Sequence, residues 1–198
     1  SGLDALTQVI EPWLCARANP FTDALCREAI PRGIKALRTL MAKECPDSRD
    51  EMAWVSLCGG LALANAGLGV IHGLAGPLGG LSNAPHGALC GSLLPFGLAL
   101  NETQISDERL RQRFADVRQW LAAGLDADPN SAWESLREWS QRSGLGNLRE
   151  LGVPREALEP AALAAAEANG GAKAPRTSSF GASPMMPSTV TPSEPMPA

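Results

Sequence analysis

The sequence predicts an all-α fold, a helical bundle of roughly seven to nine helices. Val and Ile are scarce and Tyr is absent, so the residues that favour strands are under-represented. Capping patterns precede several segments, and Asn19 followed by Pro20 is typical of a helix start. Apolar side chains also recur at helical spacing, first at Leu3, Leu6, Val9, Ile10 and Trp13.

The elements follow in order from these patterns. The first helix meets Pro12, where a kink is expected because proline cannot donate the backbone hydrogen bond. A second helix begins after Asn19 and ends before Pro46, and the capping box of Ser48 and Glu51 is expected to open the third. A flexible glycine-rich turn is expected next, then an apolar helix over residues 88–100. Later helices are predicted to begin at Ser106 or Asp107, at Ser131 and at Pro154.

Charge and composition exclude some classes of function. The net charge of −4 and the pI near 5.2 argue against a nucleic-acid partner. No apolar run is long and uninterrupted enough to span a bilayer, which predicts a soluble protein with no membrane partner. The five cysteines form no CxxC pair, which favours a cytoplasmic location and buried, unpaired thiols.

Composition divides the chain into two parts. Residues 1–169 are predicted to form a helical metal-binding domain, whereas Pro, Ser, Thr, Gly and Ala dominate residues 170–198, which are expected to be a disordered tail. The chain starts with Ser1, and the helical pattern already includes Asp4. We therefore expect this chain to be part of a longer protein.

The candidate site is centred on residues 67–91, where eight glycines and two prolines surround His72 and His86, the only histidines in the chain. Asp4 and Gln8 lie one helical turn apart and share a helix face. Two imidazoles and a carboxylate suit a divalent metal with a position open for substrate. The alternative is a helix–loop–helix junction in which both histidines are incidental.

Four stretches together resemble the iron-containing (group III) alcohol dehydrogenases. They span residues 2–101 in the order and spacing of that family's helical C-terminal domain, which belongs to the dehydroquinate synthase-like fold. The matching stretches are GLDALTQVIEPW, ANPFTDALC, GGLALANAGLGVIHGLAGPLGG and APHGALCGSLLPF, with Asn101 after the last.

The resemblance implies a metal site and a cofactor. Members of this family bind NAD(P) in an N-terminal Rossmann-like domain and a divalent metal, usually iron or zinc, in the helical domain. The family's ligand positions are occupied here by Asp4, Gln8, His72 and His86. Because Gln8 stands where the family usually has a histidine, we expect weaker binding of the metal and a preference for metals that accept oxygen ligands over zinc. Gly76 stands where many members carry another histidine near the nicotinamide.

The function expected from this resemblance is that of the substrate-side domain of an NAD(P)-dependent alcohol dehydrogenase, acting on a small alcohol or aldehyde. The metal would serve as a Lewis acid, and this chain without its cofactor domain should be inactive. Apolar surface left by the absent domain is expected to promote association, and a homo-oligomer is one such form. Two alternatives remain open: a non-enzymatic helical domain or truncated remnant without metal, and a metal-independent reductase resembling maleylacetate reductase.

Overall fold

The structure, a computed structural model, describes residues 1–168 and contains helices and no strand within that range. This confirms the predicted all-α class and the number of helices. The predicted tail, residues 170–198, lies outside the described residues. The helices are α1 (Gly2–Leu14), α2 (Pro20–Ala42), α3 (Pro46–Ala66), α4 (Val70–Gly80), α5 (His86–Thr103), α6 (Glu108–Leu125), α7 (Ala132–Arg142) and α8 (Leu158–Ala168), with short 3₁₀ turns at Pro129–Ser131 and Arg155–Ala157.

The first helix is the centre of the bundle. It packs against α2, α3, α5 and α6, while α4 packs against α5 and α8. The side chains of Leu6, Val9, Ile10 and Trp13 are at most 1% exposed, so this helix is buried on most of its surface. A polar group on α1 therefore lies inside the protein and needs a partner from a neighbouring helix.

Several predicted boundaries differ from the structure: α5 is longer at both ends than predicted, and the last α-helix begins at Leu158 and not at Pro154. Helix α3 begins at Pro46, before the predicted capping box, because proline at the first helical position already has the required φ angle. The glycine-rich segment predicted as a flexible turn contains α4 from Val70 to Gly80, including Pro77. Only residues 81–85 separate α4 from α5. Burial of Ile71, Ala75 and Leu78 stabilises this helix, despite its glycines.

Within residues 1–168, no single helix is long and apolar enough to cross a membrane. Helices α3 and α4 meet the length and composition requirement only as a pair, and they are bent by 103° at the break between them.

A partly buried ion pair fixes the C-terminal end of α1. Arg113 on α6 donates to Asp23 on α2, with Nη1 2.7 Å from Oδ1, and also to the carbonyl oxygen of Trp13 at 2.7 Å. Its guanidinium carbon lies 4.3 Å from the centroid of the Trp13 ring. The indole nitrogen of Trp13 in turn donates to the carbonyl oxygen of Arg113. These contacts hold α1, α2 and α6 together.

A second charged cluster joins α5, α6 and α7. Glu102 accepts hydrogen bonds from Arg118 Nε and from the Trp133 indole, each at 2.8 Å. Burial acts to raise the pKa of Glu102, but the hydrogen bonds from Arg118 and Trp133 outweigh it and hold that pKa below its usual range. The ionised form of Glu102 is therefore favoured by folding.

The substitution Glu102→Gln is expected to destabilise the fold by about 1 kcal/mol at neutral pH, because hydrogen bonds to a charged acceptor are lost. Because the pKa of Glu102 is lower in the folded than in the unfolded protein, its ionisation stabilises the fold at pH values above the unfolded-state pKa. This stabilisation is lost as the pH falls through the folded-state pKa. The difference between wild type and variant should therefore shrink below about pH 4.3. Urea unfolding at several pH values measures it.

Glu108→Gln is the matched control, because Glu108 also pairs with an arginine, Arg111, but its side chain is 86% exposed. Exposed pairs contribute little to stability. A Glu102→Gln deficit that is equal at neutral and acidic pH would contradict the assigned role of this carboxylate.

Candidate metal centre

Three helices bring the predicted site residues Asp4, His72 and His86 together. Asp4 is in the first turn of α1, His72 is in the first turn of α4, and His86 is the first residue of α5. Oδ1 of Asp4 lies 3.2 Å from Nε2 of His72 and 3.9 Å from Nε2 of His86. The centroids of the two imidazole rings are 5.6 Å apart. Three donor atoms therefore point toward one small volume.

Gly87 permits this close approach of α5 to α1. A Cβ atom at this position would lie 3.0 Å from the backbone nitrogen of Ser1 and 3.3 Å from Cβ of Asp4. Backbone atoms cannot move aside as a flexible side chain can. The glycine directly after His86 thus lets the imidazole of His86 approach the carboxylate of Asp4.

The buried carboxylate of Glu11 orients His72. This side chain of α1 is 3% exposed, and its Oε2 accepts a hydrogen bond from Nδ1 of His72 at 2.6 Å. Its Oε1 accepts from the backbone N–H of Ile71 at 2.7 Å. Glu11 thereby caps the N-terminus of α4, where negative charge is favourable, and directs Nε2 of His72 toward Asp4.

The surroundings of His72 favour its protonated form in the absence of a cation. Burial acts to lower the pKa of His72, but its contacts with Cys90 and Glu11 outweigh that effect and raise the pKa to about 10. A metal ligand must be a neutral imidazole, so an incoming divalent cation has to displace this proton.

Cys90 is the fourth member of the cluster. It follows His86 by one turn of α5 and is fully buried. The ligand atoms of Asp4, His72, His86 and Cys90 all lie within 4.8 Å of one another. Burial raises the pKa of the Cys90 thiol above its usual value, against the opposing effect of His72.

Gln8 lies beside the cluster, with its amide directed at Asp4. Its Nε2 donates to Oδ1 of Asp4 at 3.4 Å. Its Oε1 faces Gly59 on α3, where an added Cβ would be 3.2 Å from that oxygen. In this arrangement the amide nitrogen of Gln8 contacts the carboxylate of Asp4.

His86 is the most exposed of the three predicted ligands in the centre. The side chains of His72 and Asp4 are 8% and 21% exposed, whereas that of His86 is 49% exposed. On α4, a Cβ added at Gly76 would meet no atom within 4 Å. The oxygen, nitrogen and sulfur donors fit a divalent transition metal, and the exposure of His86 leaves space for another molecule.

Glu11 and Cys90 were missed in the sequence. Glu11 lies seven residues after Asp4, and Cys90 lies four residues after His86, so each shares a helix face with a residue that was identified. Continuing the helical spacing of Asp4 and Gln8 along α1 would have identified Glu11. The same spacing from His86 along α5 would have identified Cys90.

Comparison with known proteins agrees with the assignment of a helical domain. The chain matches the model for the Fe-containing alcohol dehydrogenase family, C-terminal, over residues 1–180, and it belongs to this family. It is 34% identical to lactaldehyde reductase of Escherichia coli over 168 residues, which is 83% of this chain and 43% of that protein. It is 31% identical to alcohol dehydrogenase 4 of Saccharomyces cerevisiae, over 80% of this chain and 41% of that protein.

The fold agrees as well. A crystal structure of 1,3-propanediol oxidoreductase superposes with a TM-score of 0.73 at 33% identity, covering 84% of this chain and 44% of that one. The chain therefore spans less than half the length of these relatives and corresponds to their C-terminal domain.

The substitution Glu11→Gln is expected to lower the affinity for a divalent cation by about 10–100-fold. An amide oxygen accepts more weakly from Nδ1 of His72 and makes its Nε2 a weaker donor to the cation. Competition with a chromophoric chelator measures the affinity. Glu138→Gln on α7, whose side chain is half exposed, is the control. An unchanged affinity in Glu11→Gln would show that this carboxylate only caps α4.

Proposed function

We propose that this chain is the metal-binding, substrate-side domain of an NAD(P)-dependent alcohol dehydrogenase, which interconverts small alcohols and aldehydes by hydride transfer. The observation that carries the proposal is the convergence of Asp4, His72 and His86 from three helices on one small volume, with the His86 side chain half exposed. Family membership supports it, since relatives include an alcohol dehydrogenase, a lactaldehyde reductase and a propanediol oxidoreductase.

Each residue has a role in this proposal. Asp4, His72 and His86 hold a divalent cation, iron or zinc, and Gln8 either coordinates it or positions Asp4. When bound, the cation supplies Lewis acidity to the alcohol or carbonyl oxygen of the substrate. Glu11 fixes the ring of His72, and the space at Gly76 leaves room for the substrate.

The cofactor belongs to another part of the enzyme. NAD(P) would be held by an N-terminal domain that this chain does not include, and that domain would place the nicotinamide on the side of the metal centre where His86 is exposed. This chain by itself is therefore expected to bind the cation and to transfer no hydride. Burial of the proposed metal centre between two domains would exclude water from the reaction.

Cation binding distinguishes this proposal from a helical domain without metal. Isothermal titration of the ion-free chain with ferrous or zinc ion under anaerobic conditions, followed by elemental analysis, should give one ion per chain. The protein joined to its cofactor domain should then oxidise a short primary alcohol with NAD(P), and a chelator should remove that activity. Absence of cation binding would favour the non-enzymatic interpretation. Binding without activity in the joined protein would refute the dehydrogenase assignment.

A further inference from the structure

The thiol of Cys90 lies among the proposed metal ligands and not beside them. Its Sγ is 3.5 Å from Nε2 of His86, and Nε2 of His72 is 3.2 Å from Oδ1 of Asp4. Around an ion with bonds of about 2.0–2.3 Å, tetrahedral ligand atoms are about 3.3–3.8 Å apart. The separations of 3.5 Å and 3.2 Å are close to these values, and that between His86 Nε2 and Asp4 Oδ1 is slightly longer at 3.9 Å.

The orientation of Gln8 does not present its amide oxygen as a ligand, so the fourth ligand can be a sulfur atom. The Gln8 amide donates to Asp4 through Nε2, while its oxygen is directed toward Gly59. Using that oxygen as a ligand would require the amide to rotate, which would break the hydrogen bond from its Nε2 to Asp4. Cys90 needs no such change, because its Sγ is already within 4.8 Å of the ligand atoms of Asp4 and both histidines.

We propose that Cys90 Sγ is the fourth protein ligand of the cation, which gives a set of one carboxylate, two imidazoles and one thiolate and leaves the substrate oxygen to bind as a fifth ligand. This inference rests on the metal site in the proposed function. Binding breaks the S–H bond, forms a bond from sulfur to the cation and releases the proton to solvent. Gln8 is then a positioning residue for Asp4.

A thiolate ligand changes the expected choice of metal. Gln8 by itself would favour metals that accept oxygen donors, whereas a soft thiolate with two imidazoles favours zinc. The chain should therefore bind zinc more tightly than ferrous ion. In Cys90→Ser the ratio of the zinc affinity to the ferrous-ion affinity should fall by about 10-fold or more, because the hydroxyl of serine is a harder and weaker donor than a thiolate.

Cobalt titration tests the sulfur ligand directly. Adding Co²⁺ to the ion-free chain should give visible d–d bands and a near-ultraviolet charge-transfer band from thiolate to cobalt. The charge-transfer band should be absent in Cys90→Ser and retained in Cys26→Ser. The control is matched because both thiols are fully buried, and Cys26 lies outside the cluster. Circular dichroism verifies that each variant is folded.

X-ray absorption at the zinc edge of the wild-type chain gives a measurement that needs no variant. One sulfur at about 2.3 Å among oxygen and nitrogen ligands is expected. Cobalt binding with no thiolate band, or a zinc shell with only oxygen and nitrogen, would overturn the role of Cys90 and leave the proposed function intact. A thiolate band lost in Cys26→Ser but kept in Cys90→Ser would also overturn it. Failure to bind either ion would overturn both proposals.

Discussion

Replacing His72 with alanine is expected to lower the affinity for a divalent cation by more than about 100-fold. This loss is larger than that expected from replacing a residue that only hydrogen-bonds to a ligand. The substitution removes Nε2, which lies 3.2 Å from Oδ1 of Asp4, and it leaves the buried Glu11 without its imidazole partner. His86→Ala should have a similar effect on affinity. The measurement is competition with a chromophoric chelator for zinc and for ferrous ion.

His86→Ala also separates ligand loss from a folding defect, because the side chain of His86 is 49% exposed and contributes less to packing than that of His72. Thermal unfolding of the ion-free protein should therefore change little in this variant. Retention of full cation affinity in both alanine variants would refute the proposed metal centre.

The opposite change is expected from Gln8→His, which supplies a third imidazole beside Asp4. This variant should bind zinc more tightly than wild type, since an imidazole can bind the cation where the Gln8 amide only hydrogen-bonds to Asp4. Gln112→His is the matched control, because Gln112 is exposed on α6 and faces Asp116 at the same four-residue spacing. Equal gains in both variants would indicate binding by any added surface histidine.

Arg113→Ala is expected to have the largest effect on stability, about 3 kcal/mol. The substitution removes the nearer of two arginines that contact Asp23, the donor to the Trp13 carbonyl and the cation stacked on the indole ring. For a domain of this size, such a loss lowers the melting temperature by roughly 6–12 °C. Calorimetry or urea unfolding measures it.

The control is Arg109→Ala, because Arg109 lies one turn earlier on α6 and approaches the same carboxylate of Asp23 at 3.7 Å. Its side chain is 67% exposed, compared with 9% for Arg113. An exposed pair is worth at most about 1 kcal/mol. Equal losses in the two variants would mean that burial of Arg113 does not determine its contribution.

Local signals in the sequence were sufficient for much of the helical architecture. The Asn19 cap with Pro20 opens α2 as predicted, and Asp107 caps α6. These features depend on residues within one helical turn, so they can be identified without the neighbouring helices. The start of α3 differed because Pro46 sets the helical φ angle before the predicted capping box.

The glycine-rich segment shows where local signals fail. Its glycines and Pro77 disfavour a helix in isolation. Helix α4 is stabilised there by burial of its apolar side chains and by Glu11, which caps its first turn from α1. That carboxylate is sixty residues away in sequence from Ile71. No local pattern in residues 67–91 records the presence of this cap.

The sequence by itself determined the helical class and, through helical spacing and resemblance to a family, selected Asp4, Gln8, His72 and His86 as candidates. Only the tertiary structure decided which donor atoms meet. It placed Cys90 among them, turned the Gln8 amide toward Asp4 and supplied Glu11 as the partner of His72. The physical reason is that a metal centre requires donor atoms a few ångströms apart, and packing of α1, α4 and α5 sets those distances.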